Sequence, residues 1–312
     1  MLFYYLSFCF SICPIQRLNS SDTLICNIYE CVFDSFYSSL PGSVTYISNS
    51  SLQVSIKQCL FMSCVSEGRG GAIYIVSSNS FLVDKTCAYS CYSMGNFFGQ
   101  FAYIMLKSGV DHCFSFISLI KCAPNRNNCN ASIHMYDGSQ RFLNNNITNN
   151  HGYQSSGGYF CYSNGLDCRF CTFSGNTVQN GIIFELIGGI NSRVFSMCNI
   201  VNNISPSKGI ISTRTDTVSN IFSECIFYNN TNILAYSLEG SVTLNMCLID
   251  HPAGSLSTGS VQINSMIPAS SKSYSLSFFS TALCFTEFKM TLVRPKTKNV
   301  LRVVLLSMLE FC

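Results

Sequence analysis

The chain has 312 residues, of which 47% are apolar and 11% charged, with a formal net charge of +3. An average soluble domain is roughly 25% charged, so this surface is expected to be mostly uncharged. The basic run is Arg294-Pro295-Lys296-Thr297-Lys298, which leaves nucleic-acid binding without an electrostatic footprint.

Leu2 to Cys13 is a nearly unbroken apolar run closed by Pro14. Its length suits the apolar core of a signal peptide and falls short of the roughly 20 residues that a bilayer span needs. No positive flank precedes it and no small-x-small cleavage site follows. Residues 1–24 therefore read as a signal peptide or as an N-terminal cap.

From Cys31 onward a short phrase recurs every 22 to 32 residues, about 27 on average: a cysteine two places before a bulky apolar residue. It stands as Cys31-Val32-Phe33, Cys59-Leu60-Phe61, Cys87-Ala88-Tyr89, Cys171-Thr172-Phe173, Cys198-Asn199-Ile200, Cys225-Ile226-Phe227 and Cys247-Leu248-Ile249. Cys113 and the Asn145-Asn146-Ile147 stretch fill the gap. A fixed period of this size marks one supersecondary unit stacked on copies of itself.

In most units a glycine follows the phrase's first position by 10 to 12 places, as at Gly42, Gly70 and Gly99. Short apolar segments come next, among them Val44 to Ile47, Ala72 to Ile75 and Phe101 to Met105. Their β-branched and aromatic residues, bounded by Ser, Asn and Gly, read as strands. A polar turn then leads into an alternating segment such as Leu52-x-Val54-x-Ile56, with one face in a core and the other in solvent. Two to three strands per unit predict an all-β fold, a right-handed parallel β-helix of about nine coils over residues 25–265. A sandwich would explain the strands without the period, and a propeller needs blades of about 40 to 45 residues.

Nineteen cysteines raise the question of disulfides. Equivalent points of stacked strands lie about 4.8 Å apart, wider than the roughly 3.8 Å that bridged Cβ atoms prefer. The repeat cysteines are therefore expected as a column of free thiols, and off-register ones such as Cys64, Cys91, Cys122, Cys129 and Cys168 as the better candidates for pairing. Asn150, Asn176, Asn203 and Asn230 lie five places past the phrase's first position in four consecutive units. Such side chains can hydrogen-bond in a ladder, and Asn tolerates the left-handed backbone of a sharp corner. The same slot earlier in the chain holds Phe36, Cys64, Tyr92 and Ser118. Asn-x-Ser/Thr triplets at Asn19, Asn49, Asn130, Asn146, Asn203 and Asn229 are glycosylation candidates if the chain enters the secretory pathway.

Gly70-Gly71-Ala72-Ile73, its weaker echo Gly157-Gly158-Tyr159-Phe160, and Phe-x-x-Asn at Phe142-Leu143-Asn144-Asn145, Phe173-Ser174-Gly175-Asn176 and Phe227-Tyr228-Asn229-Asn230 alternate in register with the cysteines. In these motifs the chain resembles the polymorphic membrane protein repeats of chlamydiae and the β-helical surface proteins of trichomonad parasites. The resemblance implies a right-handed parallel β-helix displayed at the cell surface, with a role in adhesion or host contact. The chain shows neither the alternating segments of the membrane barrel that ends the chlamydial proteins nor the full membrane helix common in the trichomonad ones. Val300 to Cys312 is apolar but is interrupted by Arg302 and Glu310. Residues 266–312 are expected as a C-terminal cap or a poorly ordered tail, and membrane association only through a missing or truncated anchor.

β-Helices also host polysaccharide lyases and hydrolases, which need carboxylate pairs or an acidic Ca²⁺ site. The eight Asp and seven Glu are scattered here. Asp216 and the Asp250-His251 pair lack acidic partners at matching slots, and turn-capping is their simpler role. His112, His134, His151 and His251 fall in separate coils. Cys168-x-x-Cys171 is half of a zinc spacing without the other half. No catalytic residue, metal or cofactor is nominated. Phe33, Phe61, Phe173 and Phe227 are expected to stack in the core, and outward tyrosines to offer contact to sugar or protein. The expected function is non-enzymatic: an extracellular or cell-surface protein binding a host-cell surface protein or glycan. The alternatives are a carbohydrate-active enzyme of the same fold and a truncated, non-functional family fragment.

Overall fold

The computed structural model describes residues 16–17, 24–268 apart from 49–51, 77, 96–97, 123–129, 180, 207–208, 232–233, 251–256 and 259, and 274–276. The 1–24 and 266–312 expectations lie largely outside these residues. Among the described residues the regular elements are strands, and they stack in parallel. Gln16–Arg17 alone pairs antiparallel, against Leu24 and Ile25.

One coil shows how the sequence turns. Leu52–Lys57 alternates buried and outward residues, as its apolar spacing predicts, and forms part of wall A. Gln58 then takes a left-handed φ of 52°, and Cys59 points inward. Leu60–Met62 adds to wall B. Ser63 repeats the left-handed step with φ 49°, followed by inward Cys64 and the short strand Val65–Ser66. Gly70, at φ 68°, turns the chain into Ile73–Val76 of wall C. Ser80–Asp84 then pairs in register with Leu52–Lys57, one coil down.

Wall B stacks ten strands, from Val32–Asp34 to Met266–Pro268. Walls A and C join into an 18-stranded sheet because Ile211–Ser223 and Ala235–Asn245 run through both. The result is an all-β parallel solenoid of about seven turns. That is slightly fewer than the nine expected.

The interior is one continuous apolar cluster from Cys26 to Ile249. Phe33 stacks on Phe61 at 4.9 Å, Phe195 on Phe222 at 4.4 Å, and Phe184 meets Phe173 edge-on at 4.4 Å. Stacking of like side chains gives each coil its core, because a single coil is too thin to bury its own apolar face.

Candidate functional site

Two inward columns line the corners on either side of wall B. The first contains Cys31, Cys59, Cys171, Cys198, Cys225 and Cys247, related rung by rung through the pairing of the strands that follow them. Cys171 Sγ lies 3.2 Å from the carbonyls of Arg169, two residues back, and of Phe142 in the preceding coil. Cys225 Sγ makes the matching contacts to Ser223 and Phe195, and Cys247 Sγ to Asn245 and Phe222. Asn145 fills the slot below Cys171; its Nδ2 donates to Phe114 O and its Oδ1 accepts from Ile117 N–H.

Two cysteines assigned to this column stand elsewhere. Cys87 pairs with Leu60, one position beyond Cys59, and faces outward. The slot belongs to Thr86, whose hydroxyl donates to Asp84 O as Cys59 Sγ does to Lys57 O. Cys113 sits in wall A between Leu82 and Arg141, and Ile117 holds the corner.

The second column contains the four asparagines. Asn150 N–H and Nδ2 donate to Asn176 Oδ1, each at 3.1 Å. Asn176 does the same to Asn203, and Asn203 to Asn230. Each Nδ2 also reaches a carbonyl of the coil behind: Leu119, Ile147, Phe173 and Ile200. The left-handed residue is the one before each asparagine (Asn149, Gly175, Asn202 and Asn229) and not the ladder asparagine itself. That residue turns outward so that the next side chain can turn in.

The earlier rungs of this column are Phe36 and then three thiols. Cys64 and Cys91 occupy it, and Cys122 follows, its N–H donating to Asn150 Oδ1 at 2.8 Å. Cys64, Cys91, Cys122 and Cys168, expected to pair, are all free and buried. Burial pushes the Cys122 thiol up to about 12 and holds Cys91, Cys168, Cys171 and Cys225 well above the usual thiol range. Burial therefore keeps these five thiols as neutral S–H groups that act as small apolar donors.

Gly70 shares its left-handed corner with Gly42 and Gly99, and a Cβ on Gly71 would lie 2.2 Å from Gln100 O. The echo at Gly157-Gly158 is not equivalent: Gly158 pairs with Ile133, the rung position of Ile73 and Ala102. Among the sequons, Asn130, Asn146 and Asn203 are buried. A glycan on Asn203 is incompatible with its place in the ladder. Asn229 is exposed, and Asn19 and Asn49 lie outside the described residues.

A third polar column, which the sequence reading missed, lines the corner between walls C and A. His112, Gln140, Arg193 and Asn220 stand in one register column, with Leu166 on the rung between Gln140 and Arg193, and all are buried. His112 Nε2 bonds Asp137 O at 2.9 Å, and Gln140 Nε2 bonds the carbonyls of Asp137 and Cys161. The Arg193 guanidinium donates to Ser163 Oγ, Asn220 Oδ1 and the carbonyls of Ile187 and Gly188. Burial lowers Arg193 to about 10 and His112 to about 4. No spacing rule marks these residues, because each corner uses a different side chain for the same task.

The outer face of wall C carries the feature with binding chemistry. Tyr46, Tyr74, Tyr103, His134 and Tyr159 stand in register. Their ring centroids are 5.2, 5.4, 4.7 and 4.8 Å apart, with planes 10 to 16° from parallel. Arg69 crosses this strip; its Cζ lies 5.0 Å from the Tyr103 ring centroid and its Nη1 donates to the Tyr103 hydroxyl at 3.0 Å. Phe98 packs against His134 and Tyr159. Farther along stands Glu185, 3.7 Å from Arg214. The strip is open at its first coil, where Tyr46 is 56% exposed and Tyr37 and Leu40 are similarly exposed. His134 is buried with an unpartnered Nδ1, and burial lowers its pKa to about 3. The spacing of Tyr46, Tyr74 and Tyr103, about one coil each, was the readable signal.

Other sequence candidates stay apart. Asp250 is exposed and accepts the Asn229 N–H, and His251 lies outside the described residues. Among the described residues no group of three or more His, Cys, Asp or Glu is placed to hold a metal.

Fold and site together define a parallel β-solenoid with ladder-locked corners and an external aromatic strip. No family model, curated protein or solved structure matches the chain significantly.

Proposed function

We propose that this chain is a non-enzymatic β-solenoid, secreted or displayed at the cell surface, that serves adhesion by binding a host-cell surface protein or glycan. The observation that carries the reading is the strip on wall C, which begins at exposed Tyr46 and is crossed by Arg69. Tyr and Arg are the residue types that concentrate binding energy at interfaces. The outer face of the Tyr46 ring, opposite Tyr74, is free of stacking among the described residues and suits a sugar or an apolar side chain. Rigid coils fix the spacing of these groups and lower the ordering cost of binding. The likeness of the motifs to polymorphic membrane protein and trichomonad repeats supports surface display.

The test is binding of the labelled full chain to host cells and to a printed glycan array. Saturable binding is expected, and Tyr46→Ala combined with Arg69→Ala should weaken it at least tenfold without lowering the melting temperature. Absence of binding, binding indifferent to both substitutions, or cleavage of a polysaccharide would overturn the reading.

A further inference from the structure

Arg69 is an exposed cation with no ion-pair partner among the described residues. It stands just before the left-handed Gly70 that turns the chain into Ile73–Val76. Its guanidinium lies over the Tyr103 ring, and Nη1 donates to the Tyr103 hydroxyl. Its charge also bears on Tyr74 and His134. All three neighbours are neutral, since burial raises the two tyrosines and lowers the histidine to about 3. Glu67, two residues back, is engaged by the Tyr37 hydroxyl instead.

A guanidinium held in this way is pre-organised. The ring beneath and the hydroxyl at one nitrogen restrict its side chain, so less freedom is lost when a ligand binds. Its other N–H groups keep the planar fork that fits a carboxylate or the oxygens of a sulfate with two parallel bonds.

From Arg69 the strip runs back through Tyr74 to Tyr46, whose rings are 5.2 Å apart and 10° from parallel. Tyr46 ends the strip with a ring that is 56% exposed. An aromatic face takes the C–H side of a sugar ring, and the phenol hydroxyls can bond its hydroxyls. Tyr46 and Tyr103 stand two rungs apart, ~10 Å, farther than one sugar reaches. A peptide seeks separate pockets for unlike side chains. A row of like rings and like hydroxyls instead suits a chain of like sugars.

We infer that the ligand of this strip is an acidic glycan. One sugar covers the open face of Tyr46, and a carboxylate or sulfate farther along the same oligosaccharide pairs with Arg69. The inference rests on the adhesive reading above and narrows it. Tyr103 is a positioning residue that acts through Arg69.

The test is binding of the full chain to heparin and hyaluronan oligosaccharides, each beside the same sugar chain with its acidic groups removed. Hyaluronan is acidic through carboxylate alone and heparin through both groups, so the pair separates the two sources of charge. At least one acidic chain should bind, more weakly as salt rises. Its neutralised form should bind about tenfold less tightly or worse, the loss that one charge-assisted pair implies. Arg69→Gln should bind the acidic and neutralised forms alike, and Arg69→Lys, which keeps the charge without the fork, should recover only part of the difference. Tyr103→Phe should narrow the difference as well, with the melting temperature read alongside to separate a loosened Arg69 from a loosened fold. Equal binding of acidic and neutralised forms by the wild-type chain would overturn the inference and leave the adhesive reading standing. Cell binding that survives removal of acidic surface glycans by lyases and sialidase would do the same and indicate a protein partner. A chain that binds neither cells nor any glycan would remove both.

Discussion

At a single residue, the corner slot is a hydrogen-bonding duty. Asn203 accepts from Asn176 N–H and Nδ2 and donates to Phe173 O. Truncating it leaves three buried groups unpaired, at about 1–3 kcal/mol each when no water enters. Asn203→Ala should thus lower unfolding free energy by at least about 3 kcal/mol in urea titration, whereas Asn202→Gly, at an exposed position whose left-handed φ of 56° glycine adopts freely, should cost well under 1 kcal/mol. His112 makes the acid side of the same point. Its folded pKa is about 4 against 6.5 for the free group. Between those values the unfolded chain binds more protons, so stability falls as pH drops from 6.5 towards 4, by about 3 kcal/mol in all. Buried His134, lowered to about 3, adds to the loss. His112→Gln with His134→Phe should flatten the dependence, since Gln140 does the donor's work one rung on and a phenyl ring keeps the stack. An unchanged slope would place the acid sensitivity elsewhere.

At the scale of one coil, two left-handed residues and two inward side chains define the turn around wall B. The inward pair is five residues apart throughout: Cys59 and Cys64, Thr86 and Cys91, Ile117 and Cys122, Asn145 and Asn150, Cys171 and Asn176. The two mistaken slots, Tyr92 and Ser118, follow from starting this count at Cys87 and Cys113 instead of Thr86 and Ile117. Cys-Ala-Tyr keeps the alternation of Cys-Leu-Phe although it stands one place late, and only pairing with Leu60 reveals the slip. Period, strands and the Asn ladder were legible because Cys and Asn are chemically distinctive and recur at fixed spacing. The third column was not, since His, Gln, Arg and Asn share a task and no shared letter. Nor was the facing of the tyrosines, which depends on where each strand starts. Among the described free cysteines Cys113 alone is partly exposed. A small alkylating reagent should therefore modify Cys113 first in the native chain and the corner thiols only on unfolding. Early labelling of Cys171 or Cys198 would mean that the columns open readily.

Over the whole molecule, stability is expected as a sum of coils and nearest-neighbour interfaces, carried by a core unbroken from Cys26 to Ile249. The outward column of wall B is buried, and wall C carries the aromatic strip that is exposed at Tyr46. Both depend on equivalent residues lying directly over one another. Double-mutant cycles in alanine-substituted chains test this most directly, with Asn176 and Asn203 as neighbours and Asn176 and Asn230 as alternates. Stacking predicts a coupling energy of about 1 kcal/mol or more for the first pair and near zero for the second. Equal coupling in both pairs, or none in the first, would contradict the columns on which the fold rests.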